Sequence, residues 1–175
     1  MTTIFFFYGL SFIVMGVLIF TMPKRQDLLD LSDDLWLLGL FGISHGVNEW
    51  LDMLILIGKP FNAAALRSIG NILLPLSFLF LLGFAVAIIL RVSPKSRWPK
   101  TVLVILAVAW IVPYAVARDS EIAGIAARYF IAFPAGILSC FGLFLVLEKH
   151  IAKNLPLTVK LSLVMTACGV AAYGI

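Results

Sequence analysis

Residues 68–90 read SIGNILLPLSFLFLLGFAVAIIL, a run with no Asp, Glu, Lys, Arg or His. Its apolar residues are continuous rather than alternating, which suits a buried helix and not a barrel strand. About 20 helical residues cross roughly 30 Å of hydrocarbon, so this run is long enough to span a bilayer. On either side of it, five more apolar runs follow the same logic: 3–21, 35–57, 101–117, 127–147 and 161–175. The breaks carry charge with helix-ending residues, as in Met22-Pro-Lys-Arg, Gly58-Lys-Pro, Ser93-Pro-Lys-Ser-Arg-Trp-Pro-Lys and Asn154-Leu-Pro. The sixth run is short for a full crossing and reads as cut short at Ile175. The expected fold is one all-α domain over residues 1–175, a polytopic transmembrane helical bundle of about six spans. Pro75, Pro113 and Pro134 fall inside spans, where each removes a backbone donor and favours a kink.

Composition agrees. Hydrophobic residues make up 62% of the 175-residue chain and charged residues 13%, with a mean hydropathy of +1.09. A soluble domain averages about 25% charged residues, so this chain has too little polar surface to dissolve as a compact body. The net charge of +4 is dispersed between apolar runs and reports orientation rather than nucleic-acid binding. With the amino terminus outside, the inner segments collect Lys24, Arg25, Arg91, Lys95, Arg97, Lys100, Lys149, Lys153 and Lys160. The outer ones keep only Lys59, Arg67, Arg118 and Arg128. Met1-Thr-Thr-Ile lacks the basic start of a secretory signal, and the first run reads as a retained helix. Cys140 and Cys168 lie in apolar runs as small buried thiols, without a disulfide framework.

The first inner segment gathers Asp27, Asp30, Asp33 and Asp34 without the glycine and spacing of a calcium loop. It reads as a solvated face in which Ser32 or Asp33 caps the second helix. The second span is different. His45, Asn48, Glu49 and Asp52 recur at i, i+3, i+4 and i+7, and so fall within an arc of about 100° on one helix. Gly39, Gly42 and Gly46 form an adjacent stripe that admits another helix closely. An Asp at the bilayer centre costs about 2.5–3.5 kcal/mol on insertion scales, so a stripe of ionisable groups marks a ligand, proton or cofactor site by default. The competing reading is structural, with the stripe hydrogen-bonding helices together.

Depth counting at 1.5 Å per residue puts His45 near the midplane and Asp52 near the outer surface. Arg128 and Tyr129 open the fifth run from that side, and Asn71 lies one turn inside Arg67. An outward pocket lined by Glu49, Asp52, Asn71, Arg128 and Tyr129 is therefore expected, with Asp52 or Glu49 in salt-bridge reach of Arg128. His150 lies about 15 Å from His45 in depth, so one heme could not take both as ligands. Heme on His45 alone, or shared across a homodimer, stays open. No heme-attachment, phosphate-loop, hydrolase or zinc motif is present. No internal repeat supports an inverted-repeat transporter.

Three stretches carry a resemblance: Phe6-Phe7-Tyr8-Gly9-Leu10-Ser11-Phe12, Ser44-His45-Gly46-Val47-Asn48-Glu49-Trp50, and Ala127-Arg128-Tyr129-Phe130-Ile131-Ala132-Phe133-Pro134-Ala135-Gly136. Together they resemble the amino-terminal membrane sensor modules of bacterial histidine kinases and diguanylate cyclases. The resemblance implies a sensory module of the bacterial inner membrane, followed by a cytoplasmic kinase or cyclase output domain beyond residue 175. The preferred reading is a non-enzymatic sensory or signal-transducing module, expected as a homodimer or larger membrane assembly. The runner-up is an accessory subunit of a respiratory or photosynthetic complex, binding quinone, lipid or pigment through its apolar faces.

Overall fold

The computed structural model describes residues 1–22, 33–58, 62–117, 120–151 and 156–174. Among them the chain is an all-α bundle: α1 (Thr2–Thr21), α2 (Leu35–Ile57), α3 (Ala63–Val92), α4 (Trp98–Ala117), α5 (Ser120–Ala127), a π-helical turn (Arg128–Ala132), α6 (Phe133–Ile151) and α7 (Leu157–Gly174). The described residues include no strand. Three helical stretches, Thr2–Thr21, Ala63–Val92 and Gly124–Lys149, are long and apolar enough to cross a membrane.

The helices pack in chain order, α1 on α2, α2 on α3, α3 on α6 and α6 on α7, while α4 leans on α3, α5 and the π turn. Helix α3 is the central rod. Phe78, Leu81, Leu82, Phe84, Ala85, Ile88 and Ile89 are all at most 2% exposed, so it is covered on nearly every side, as an all-round apolar helix requires. Its start is set by Asn62, whose Oδ1 accepts from the amides of Ala64 and Ala65 at 3.1 and 3.3 Å, satisfying donors a helix otherwise leaves orphaned. On α6, the small residues Ser139 and Gly142 meet α3. Ser139 Oγ donates to the Leu81 carbonyl at 3.4 Å, and a Cβ on Gly142 would lie 2.5 Å from Ile88 Cδ1.

The glycine stripe of α2 receives α1. A Cβ on Gly46 would stand 2.5 Å from the Gly9 carbonyl oxygen, and one on Gly42 2.7 Å from that of Phe12. Small residues are the means by which backbones reach this distance in apolar solvent. Trp50 then locks the pair: its Nε1 donates to the Phe6 carbonyl at 3.2 Å, and its ring stacks on Phe6 at 6.0 Å with 6° between planes.

Helix ends differ from the sequence reading where capping and proline chemistry intervene. Helix α3 begins five residues before the run at 68, because the Asn62 cap and three alanines extend it outward. The fifth run is part of a longer helical segment, 120–151, broken at its π turn. There the Phe133 amide donates to the Arg128 carbonyl, five residues back. Pro134 explains the widening: it offers no N–H to the Phe130 carbonyl, and its ring would crowd that carbonyl in a regular helix. Arg128 and Tyr129 accordingly sit on the π turn, a full α5 past the helix start.

Polarity is reversed relative to a soluble bundle. Ile4, Phe7, Leu18, Ile72, Val104, Ile105 and Met165 are all more than half exposed, whereas His45, Asn48, Glu49, Ser77 and Ser139 are buried. At the end of the bundle opposite Gly58 and Asn62, α2 and α3 are clamped by charge. Arg91 Nε donates to Asp34 Oδ2 at 2.7 Å, and Arg91 Nη1 lies 3.5 Å from Asp33 Oδ2. Asp34 occupies the N-cap of α2 without a side-chain capping bond, because its carboxylate is engaged by Arg91. The expected cap at Asp33 is thus replaced by an interhelical pair; Ser32, Asp27 and Asp30 lie outside the described residues.

Candidate functional site

The polar stripe of α2 faces α3. His45 is 1% exposed, Asn48 3% and Glu49 9%, and Asp52, one turn further toward the C-terminal end of α2, is half-buried. On the N-terminal side of His45 the same face carries Phe41 and Leu38, at 2% and 5%. The stripe is therefore a polar ladder that runs from the C-terminal end of α2 and stops at an apolar plug.

His45 holds the ladder's deep end. Its Nε2 lies 3.3 Å from Glu49 Oε1, one turn along the helix. Its Nδ1 lies 3.2 Å from Ser77 Oγ on α3, and Ser77 Oγ itself donates to the Leu74 carbonyl at 2.7 Å. Four aromatic rings surround the imidazole. Phe41 stacks on it at 5.4 Å, Phe78 tilts against it at 5.5 Å, Phe12 meets it edge-on at 4.8 Å and Tyr8 at 6.5 Å. Two of these come from α1, which reaches the histidine because the glycine stripe lets it approach.

The end of the ladder near Asp52 gathers charge from three elements. Asp52 and Glu49 on α2, Arg67 on α3 and Arg128 on the π turn lie within electrostatic range of one another's neighbours, with Asp52 sensing all three other groups and His45. Tyr8 on α1 faces Glu49 and Arg128. Asn71 is half-buried on α3, and Asn48 Oδ1 looks onto Gly70, 3.3 Å from where a Cβ would stand. Arg128 is exposed. Among the described residues it forms no ion pair within 4 Å with Asp52 or Glu49; Glu49 is paired with His45 instead. Tyr129 is 72% exposed and is joined to the stripe by no described hydrogen bond.

Tyr8, Ser77 and Trp50 belong to this constellation but do not stand out as site residues in the sequence. Ser77 had a signal of its own, a hydroxyl two residues past Pro75 in an otherwise apolar run. Tyr8 is signalled by its place beside Gly9. No group of three His, Cys, Asp or Glu able to hold a metal ion occurs among the described residues. Iron ligation by His45 would have to displace Ser77 or Glu49 from its ring. The side chain of His150 lies outside the described residues.

The chain matches no protein-family model, curated protein or solved structure.

Proposed function

We propose that this chain is a membrane-embedded sensory or signal-transducing module, without catalysis of its own. It crosses the bacterial inner membrane about six times with its amino terminus outside, and passes its state to a kinase or cyclase output domain. The observation that carries the reading is the buried His45–Glu49–Ser77 cluster at the heart of an otherwise apolar bundle. Intramembrane ionisable groups are costly, and structural glue would need only neutral hydrogen-bonding side chains.

The connection to an output lies in how α2 and α3 are joined. Among the contacts between them are two side-chain hydrogen bonds, His45–Ser77 in mid-bundle and Asp34–Arg91 on the inner side. A change in the first contact slides or tilts one helix against the other, and the second contact carries that shift to the cytoplasmic end. The resemblance of Ser44–Trp50 and Ala127–Gly136 to sensor modules of histidine kinases and diguanylate cyclases supports the same reading.

Spin labels at Trp36 and Ser93, both exposed near the inner ends of α2 and α3, test it in bilayer discs. Glu49→Gln preserves shape, so a signalling module should show a shifted distance distribution with unchanged helix content. An unmoved distribution, together with stoichiometric copurification with electron-transfer subunits, would replace this reading by that of an accessory subunit.

A further inference from the structure

We infer that the His45–Glu49–Ser77 cluster is a proton-binding site open only to the outer side, and that Ser77 reports its occupancy to α3. The inference deepens the sensory reading by naming the stimulus, and rests on that reading only for its use.

Hydrogen-bond accounting carries the argument. A serine hydroxyl has one proton to give. We assign it to the shorter contact, the Leu74 carbonyl at 2.7 Å, over His45 Nδ1 at 3.2 Å, so that Ser77 accepts from the ring. Nδ1 therefore bears a hydrogen. Nε2 and Glu49 Oε1 face each other at 3.3 Å, and two lone pairs would repel there, so a second proton lies between them. The pair thus holds two protons, as imidazolium with carboxylate or imidazole with carboxylic acid, and is neutral overall. Neutrality suits a site of 1% and 9% exposure, where a net charge is expensive.

Release of one proton leaves one arrangement that satisfies every group. Nε2–H donates to the Glu49 carboxylate, Nδ1 becomes an acceptor, and the Ser77 hydroxyl turns from the Leu74 carbonyl to Nδ1. No heavy atom needs to move far, yet a hydrogen bond on α3 breaks beside Pro75, where the helix already lacks one donor. The released proton leaves outward. Among the described residues, Asp52 on the same stripe interacts with both His45 and Glu49, Tyr8 on α1 interacts with Glu49, and Arg67 on α3 and Arg128 on the π turn interact with Asp52; all four lie on the outer side of the pair. Inward, Leu38, Phe41, Phe78 and Leu81 close the path. Outer acidity fills the site, and outer alkalinity empties it by one proton.

Nitrogen NMR of the histidine-labelled full chain in bilayer discs, with His150→Gln to leave one histidine, reads the site directly. At acid pH, His45 should show a protonated Nδ1; raising the pH should convert it to the form protonated at Nε2 alone. A carboxylic carbonyl infrared band that Glu49→Gln removes should vary in step if the acid form contributes. In sealed vesicles, only a pH jump on the amino-terminal side should trigger the change. A ring protonated at Nε2 alone at every pH, or one that does not respond to pH, overturns the proton site. A response to the opposite side overturns its sidedness. Ser77→Ala removes the hydroxyl opposite Nδ1 and should abolish the Trp36–Ser93 distance change; a change that persists in this variant overturns Ser77 as the reporter. Uptake without any distance change in the unmutated chain would preserve the proton site and sink the sensory reading.

Discussion

Gly46→Ala puts the seating of α1 on α2 to a quantitative test. The added methyl would stand 2.5 Å from the Gly9 carbonyl oxygen and 2.7 Å from Ile13 Cγ1. A backbone carbonyl cannot rotate away, so the two helices must part by about half an ångström or more to reach tolerable contact. Overpacking of this kind costs about 1–3 kcal/mol. Separation also strains the Trp50–Phe6 hydrogen bond one turn away, worth about 0.5–1.5 kcal/mol. Alanine's better helix propensity offsets about 1 kcal/mol. The net expectation is a loss of about 2 kcal/mol, roughly thirtyfold in the folding equilibrium. Gly169→Ala on α7 is the matched control, because a Cβ there meets nothing within 4 Å; it should stabilise by about 0.5–1 kcal/mol. Unfolding of both variants in maltoside titrated with dodecyl sulfate, followed by tryptophan fluorescence and circular dichroism, gives the comparison. Equal stabilisation by the two alanines would refute the close α1–α2 contact and, with it, the placement of Phe12 and Tyr8 against His45.

Ser77→Ala should destabilise the chain by about 1–3 kcal/mol in the same assay, since it strands the buried Nδ1–H of His45. Wild-type stability would mean that His45 finds its partner elsewhere. Arg91→Ala should cost at most about 1 kcal/mol, because Asp33 is largely exposed and salt screens the pair. The difference should fade in high salt, and a loss of several kcal/mol would show that the clamp is far more than a surface pair. For topology, cysteines introduced at Ser93 and Ser120 in a Cys140→Ala, Cys168→Ala background should label from opposite sides of the membrane. Labelling from one side overturns the orientation.

Much of this molecule was legible in local chemistry. Continuous apolar runs, charge-bearing breaks and the 100° step of a helix determine an all-α bundle and the single polar stripe from His45 to Asp52, because these depend only on neighbours within one helix. The glycines beside that stripe announced a close helix approach for the same reason. What the sequence could not decide is which helix comes, and with which side chains. That α1 takes the glycine face, bringing Tyr8 and Phe12 to the imidazole, depends on the fit of two surfaces far apart in the chain. Charge gave no better guide to pairing. Glu49 turns to His45, four residues away, rather than to Arg128, because burial rewards the partner that can be reached without leaving the core. Ser77 became visible only when α3 was laid against α2, since a lone hydroxyl in an apolar run gains its meaning from the atom placed opposite it.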